Sequence, residues 1–271
     1  MAVRSHRTDR AGPAGAPSGG VFGRGPALIG HRGLGRGTVS GQRENSLGSF
    51  TTAAGLGLAW VEADVRRTAD DVLVVAHDAA SADGVRLAER SAAESDRRGT
   101  LRLDTLLERL PTGVGVVVDL KSCIDDGLRP ATRTTAGRLG PVVAAEAARR
   151  PIVVSSFDPA ALAQVREEAP AVPLCWLTWW RFPLETAVAG CAHMDVEVLG
   201  LHTGSLGCDD PTGTVDPAAA ARAVRFVHGS GRQLMVWCPE ARSARLLIEV
   251  GADAVVVDEV PGTLSALTGA A

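Results

Sequence analysis

None of the five cysteines in this chain (Cys123, Cys175, Cys191, Cys208 and Cys238) stands in a Cys-x-x-Cys pair. The count is odd and the spacing irregular, which reads as reduced cytosolic thiols in or near a core. There is no basic excess either. With 28 Lys and Arg against 31 Asp and Glu, the net charge is −3, and nothing points to a nucleic-acid partner. No run of 18 apolar residues occurs, so no transmembrane helix is expected. Residues 1–26 carry Arg and His but no apolar h-region, and do not read as a secretory signal. Rich in Gly, Ala, Pro, Ser and Arg, they read as a disordered tail, and together these features predict a cytoplasmic protein. A Gly-x-Gly-x-x-Gly turn is also missing after the first apolar run, which weakens a doubly wound nucleotide-binding fold.

The chain is nevertheless 45% hydrophobic over 271 residues, enough to bury one large core. An α/β barrel, at about 250 residues, accounts for that length as one domain over 27–271. The most informative stretch is Trp60 to Asp78. Two β-friendly runs, Trp60–Val65 and Val72–Val75, flank the turn signal Ala69-Asp70-Asp71. So short a turn makes the strands antiparallel. It sets Asp64 opposite Ala76–His77 and Glu62 opposite Asp78. Glu62 and Asp64 are two apart and share a face. Two acids and a histidine therefore converge, an arrangement that is costly to bury without a cation.

Before this hairpin, Ala27–His31 reads as a buried first strand, and glycines 33, 35, 37 and 41 as a mobile loop. Asn45-Ser46 can cap a helix over Leu47–Ala54, leaving Glu44 just outside its N-terminus. After the hairpin, residues 79–100 show no clear periodicity. Leu101–Leu110 suits a helix, Val114–Lys121 a strand, and Thr134–Arg150 a helix weakened at Gly140-Pro141. Strands and helices then alternate regularly to a last strand at Ala254–Asp258. Nine strands are readable, and the 72–76 strand belongs to the hairpin. Eight remain, the number that closes a (β/α)₈ TIM barrel, here with an antiparallel hairpin extension after the second strand.

Barrel active sites lie at the C-terminal ends of the strands. Those ends carry His31 and Arg32, Glu62 and Asp64, Asp119 and Lys121, His202, Trp237 and Asp258. Glu44, Glu62, Asp64 and Asp119 are oxygen donors that suit Mg²⁺ or Ca²⁺. Arg32 and Lys121 are cations suited to a phosphate, and His31 and His77 are candidates for proton transfer. Metal, cations and two histidines amount to equipment for cleaving a phosphodiester. Asp258 either caps the site floor or, more simply, begins a loop, and Asp78 reads as a group that orients His77. Trp176, Trp179, Trp180 and Phe182 form either rim packing or a hydrophobic shelf for a lipid-derived alcohol.

The segments His31-Arg32-Gly33, Glu44-Asn45-Ser46, Glu62-Ala63-Asp64-Val65, His77-Asp78, Asp119-Leu120-Lys121, Ser155-Ser156-Phe157 and Val236-Trp237 resemble the glycerophosphodiester phosphodiesterase family. The order and spacing of these motifs, across residues 27–260, make the match specific. The resemblance implies hydrolysis of glycerophosphodiesters to sn-glycerol 3-phosphate and an alcohol with a divalent cation, Mg²⁺ or Ca²⁺. It implies His31 and His77 as the acid/base pair, Glu44, Glu62, Asp64 and Asp119 as metal ligands, and Arg32 and Lys121 as phosphate contacts. His202, Trp237 and Trp179 are possible substrate contacts. Asp119 stands where the family usually has Glu, and Cys238 follows Trp237 where an Asn is common shortly after. The 79–100 segment is too short for a large cap, so the mouth should be open. Alternative readings are a phospholipase D-like lyase that releases a cyclic phosphate, and a non-catalytic barrel that binds phosphodiesters. The expected partner is a small-molecule diester; the oligomeric state is left open.

Overall fold

Eight parallel strands close into a barrel in the computed structural model, which describes residues 20–23, 25–207 and 214–269. The staves are Ala27–Gly30, Trp60–Arg67, Gly115–Leu120, Ile152–Ser156, Leu174–Leu177, Val198–His202, Gln233–Trp237 and Ala254–Val257. Each pairs in parallel with the next, and the first pairs with both the second and the eighth. Helices between the staves cover the outside, so the fold is the (β/α)₈ barrel expected from the alternation.

The antiparallel extension is also present, and is one strand longer than expected. Leu73–Val75 pairs with the second stave, Val65 opposite Val75 and Arg67 opposite Leu73. Leu101–Arg102, expected to be helical, adds a third strand beyond it, and the helix begins at Leu103. The Ala76 amide donates to the Asp64 carbonyl at 3.0 Å, so Asp64 sits opposite Ala76 as the short turn requires. A two-stranded ladder, Thr38–Val39 with Gln42–Arg43, orders the glycine-rich loop that was expected to be mobile.

Other local differences have physical causes. Residues 79–100 contain a helix, Ala92–Arg97, that is too short to show a period; a capping box of Ser91 and Glu94 fixes its start. The helix Thr135–Glu146 runs through Pro141 unbroken. Leu139 and Val143 on either side are fully buried, so packing outweighs the local penalty of the ring. The last helix, Val260–Thr268, was not read from the sequence. Residues 1–19 and 24 of the expected tail lie outside the described residues. Val21 and Phe22, however, pack onto the barrel: the Val21 amide donates to Gln233 Oε1 at 2.6 Å, and Phe22 meets Trp60 edge-on at 5.4 Å. Two apolar residues among glycines are too few to show as an element, yet they plug the barrel's N-terminal end.

Alternation along each stave separates two cores. On the second stave, Val61, Ala63 and Val65 face the helices, whereas Trp60 belongs to the barrel interior with Ile29, Val117, Val153 and Val256. Glu62 and Asp64 continue the Trp60 parity and therefore point inward. The same parity carries Asp119 from Val117, His31 from Ile29, Asp258 from Val256 and Trp237 from Met235. The apolar interior thus ends upward in a polar layer at the C-terminal mouth.

Candidate active site

The first stave leads directly into the site. Arg32 and Gly33 both have positive φ, 52° and 95°. A Cβ at Gly33 would lie 2.4 Å from Ser49 Oγ and 2.8 Å from the Phe50 amide, so glycine is required both for space and for backbone conformation. Ser49, on the helix Leu47–Gly55, pins the turn: its hydroxyl donates to the Arg32 carbonyl at 3.0 Å and accepts from the Leu34 amide at 2.8 Å. The Arg32 amide then donates to Glu62 Oε2 at 2.9 Å. His31 is held in two directions. Its Nδ1 hydrogen-bonds Asp258 Oδ1, and its Nε2 lies 3.8 Å from Glu62 Oε2.

Glu62, Asp64 and Asp119 offer carboxylate oxygens that lie within 4.8 Å of one another. Asp64 and Asp119 are register partners on adjacent staves, and Glu62 sits one inward position below Asp64. All three are buried, and Glu62 Oε1 and Asp119 Oδ1 have no hydrogen-bond partner among the described residues. Burial, reinforced by Asp64, pushes the Glu62 carboxyl up to about 8. Burial pushes Asp119 up to about 6, with Asp64 adding to it and Lys121 opposing. Asp64 is held below its ordinary value although burial opposes this, because Lys121, Arg32 and the Asn45 amide all favour its charge. Burial and the mutual repulsion of three closely packed carboxylates thus disfavour charge on Glu62 and Asp119.

The expected cations are here but face the acids. Arg32 Nε is 3.1 Å from Asp64 Oδ2, and its Nη1 donates to Glu44 Oε1 at 2.7 Å. Lys121 Nζ is 3.0 Å from Asp64 Oδ1 and also bonds Asp119. Glu44 is not brought into the carboxylate nest; it is tied to Arg32 and to the Gly37 amide. Of the four carboxylates read from the sequence, the structure brings together three. Asn45, read only as a helix cap, instead donates from Nδ2 to Asp64 Oδ2 at 2.8 Å, with its own backbone at φ 56°.

These groups open on a cavity of about 610 Å³ at the barrel mouth. His31, Glu62, Asp119 and Lys121 line one side, and His77 reaches it from the hairpin. The His77 Nδ1 pairs with Asp78 at 2.8 Å. Burial holds His77 below its ordinary value, partly offset by Asp64 and Asp78. His31 is held above the ordinary value: burial opposes the charge, but Asp258, Cys238 and Glu62 outweigh it. The other wall is aromatic. Trp179 stacks on Phe157 at 4.1 Å, and Trp237 meets Phe157 edge-on at 5.6 Å. Trp237 Nε1 is buried without a partner among the described residues. His202 stands edge-on to Trp237 at 4.3 Å and accepts the Gly204 amide on Nδ1 at 2.9 Å, so its neutral ring carries the proton on Nε2. Trp179, His202 and Trp237 therefore all reach the cavity, whereas Trp176 packs against Phe182 below the rim.

Asp258 is the residue that the sequence reading undervalued. It does begin the loop after the last stave, and from there it also fixes the His31 ring. The signal lay in its parity: it is two residues after the inward Val256, at the end of the last stave.

Comparison with known proteins agrees with this geometry. The model of the glycerophosphoryl diester phosphodiesterase family matches residues 31–261. A solved glycerophosphodiester phosphodiesterase structure from Thermotoga maritima superposes with a TM-score of 0.68 at 19% identity, covering 89% of this chain and 97% of that one. A phosphodiesterase of Oleispira antarctica, solved in complex with the product sn-glycerol-3-phosphate, gives 0.70 at 23% identity, covering 90% and 97%. Among curated proteins, a glycerophosphocholine phosphodiesterase of Candida albicans is 50% identical over 56 residues, 19% of this chain and 5% of that protein's length. No helix among the described residues is long and apolar enough to cross a membrane. With the family model covering nearly the whole barrel, from the His31 turn to the last helix, the chain belongs to the glycerophosphoryl diester phosphodiesterase family.

Proposed function

We propose that this protein hydrolyses glycerophosphodiesters to sn-glycerol 3-phosphate and an alcohol, with a Mg²⁺- or Ca²⁺-type cation held by Glu62, Asp64 and Asp119. One observation carries the reading: a nest of three buried carboxylates, two with oxygens that lack a partner among the described residues, adjoins the His31 imidazole and opens on a cavity that both His31 and His77 line. Buried acceptors without partners are costly, and an all-oxygen set fits a hard cation. When bound, the cation would offset charge on the phosphoryl oxygens.

The chain's own groups divide the remaining work. Arg32 and Lys121 bring positive charge to the same rim and exchange their present carboxylate partners for non-bridging phosphate oxygens. His31, kept protonated by Asp258, donates from Nε2 to the departing alkoxide. His77, kept neutral by burial, takes the proton from the attacking water. Phe157, Trp179 and Trp237 form the wall for the alcohol group, and His202, with its proton on Nε2, lines the same cavity. Glu44 holds Arg32 in place. The reading requires a small-molecule diester and no nucleic acid, and the free thiols among the described residues, Cys123, Cys175, Cys191 and Cys238, suit the cytoplasm.

A leaving-group comparison tests the two histidine roles. His31→Ala should lower kcat on an alkyl diester by about 10²- to 10⁴-fold and lower it far less on a p-nitrophenyl diester, whose leaving group needs no proton. His77→Ala should slow both substrates alike. Equal losses on both substrates for His31→Ala would remove its role as the acid. A cyclic phosphate product would replace hydrolysis by the lyase reaction.

A further inference from the structure

A second cluster, of different donor type, lies beside the carboxylate nest. Cys238 follows the seventh stave with φ at 59°, a left-handed conformation that costs a non-glycine residue strain. Its Sγ lies 3.6 Å from Asp258 Oδ1, which also bonds His31 Nδ1. A sulfur, an imidazole nitrogen and a carboxylate oxygen thus all lie within 4.8 Å of one another. They come from the ends of the seventh, first and eighth staves. These are consecutive around the barrel, so the sheet itself sets their spacing. All three residues line the cavity, which leaves the cluster open on one side.

Hydrolysis as proposed above uses His31 and Asp258 but gives the thiol nothing to do. The donor set is informative. Thiolate, imidazole and a single carboxylate suit zinc and poorly suit Mg²⁺ or Ca²⁺, whereas the neighbouring all-oxygen nest has the opposite preference. Three protein ligands with an open fourth position toward a cavity is a common zinc arrangement.

We infer that His31, Cys238 and Asp258 form a zinc(II) site that switches the enzyme off when filled. Binding releases the thiol proton and the His31 Nδ1 proton to solvent, and no electrons are transferred. Zinc on Nδ1 takes that nitrogen from Asp258 and fixes the ring's remaining proton, so His31 can no longer cycle between its protonated and neutral forms. Excess Mg²⁺ does not relieve the inhibition, because the two metals occupy different donor sets. The inhibitory consequence rests on the proposed two-histidine hydrolysis; zinc binding itself does not.

Cobalt(II) is the probe, because its thiolate complexes absorb in the near ultraviolet. Wild-type, Cys123→Ser and Cys238→Ser proteins are titrated with Co²⁺ in excess Mg²⁺. Cys123 is the control, because its Sγ also lies near a carboxylate, 3.7 Å from Asp125 Oδ2. The expected result is a charge-transfer band that saturates at one equivalent in wild type and Cys123→Ser, is displaced by Zn²⁺, and is absent in Cys238→Ser. Absence of the band in wild type, or its survival in Cys238→Ser, overturns the site. If Cys238→Ser fails to fold, Asp258→Asn must weaken cobalt binding by more than about tenfold, and unchanged affinity overturns the site. In parallel, zinc should abolish diester hydrolysis at saturating Mg²⁺. A cobalt band without inhibition overturns the regulatory half. A protein that cleaves no diester at all would refute the hydrolase reading while leaving the cobalt titration to decide the site.

Discussion

At the scale of single residues, the arrangement depends on how two histidines are kept in opposite states. His31 packs against Asp258 and Glu62, which favour its proton; His77 is half-buried with one exposed partner, Asp78, and is held low. Asp258→Asn leaves the shape intact but weakens the acceptor for Nδ1. We expect kcat to fall by roughly tenfold or more with KM little changed, and steady-state kinetics check this split. For His77 the sign is set by burial, which disfavours the charged ring. It stays neutral at pH values where a solvated imidazole, near about 6.5, has begun to protonate. The acid limb of the kcat/KM profile should therefore lie below that value. Asp78→Asn, which removes a group that favours the proton, should move the limb further down; a shift upward would exclude His77 as the base. His31, His77, Glu62, Asp64 and Asp119 were legible in the sequence because each ends or adjoins a strand. Asp258 and Asn45 were not, because an acid before a loop and an Asn before a helix have ordinary local explanations. Their roles come from partners 227 and 19 residues away.

At the scale of elements, close packing positions the charges. Gly115 faces Trp60 across the second and third staves, and a Cβ there would lie 2.5 Å from the indole. Gly115→Ala should therefore destabilise the barrel by about 1–3 kcal/mol, read from urea unfolding. Adding Trp60→Leu should recover part of the loss, and full additivity of the two changes would contradict direct contact. Ser49→Ala removes two buried hydrogen bonds that hold the His31-Arg32-Gly33 turn. It should cost about 1–3 kcal/mol and lower activity as well. The hairpin register could be read in advance because a turn of so few residues fixes it and one slip would invert every side chain. The helix at Ala92–Arg97 and the unbroken helix across Pro141 could not, because length and packing decided them rather than period or propensity. The partners of Glu44 could not be read for a related reason. The ladder Thr38–Val39 with Gln42–Arg43 carries it toward Arg32, and a glycine-rich loop shows no such pairing in its sequence.

At the scale of the whole molecule, eight staves of one parity collect acids and histidines at one mouth, above an apolar interior closed at its other end by Trp60 and Phe22. The barrel was legible because strand and helix periods alternate with regular spacing. The closure by Val21 and Phe22 was not, because it depends on a segment without a period of its own. A cation that binds the folded barrel and not the open chain stabilises the fold by mass action. Mg²⁺ or Ca²⁺ should thus raise the Tm of the wild-type protein by a few degrees, roughly 2–4 °C per kcal/mol at this size. Glu62→Gln should remove that increment. The most direct test of the account is the release of sn-glycerol 3-phosphate from glycerophosphocholine and glycerophosphoethanolamine, measured with Mg²⁺, with Ca²⁺ and with chelator. The account expects release that depends on the divalent ion and is lost in Glu62→Gln. Release that persists in chelator, or no release with any ion, would contradict it.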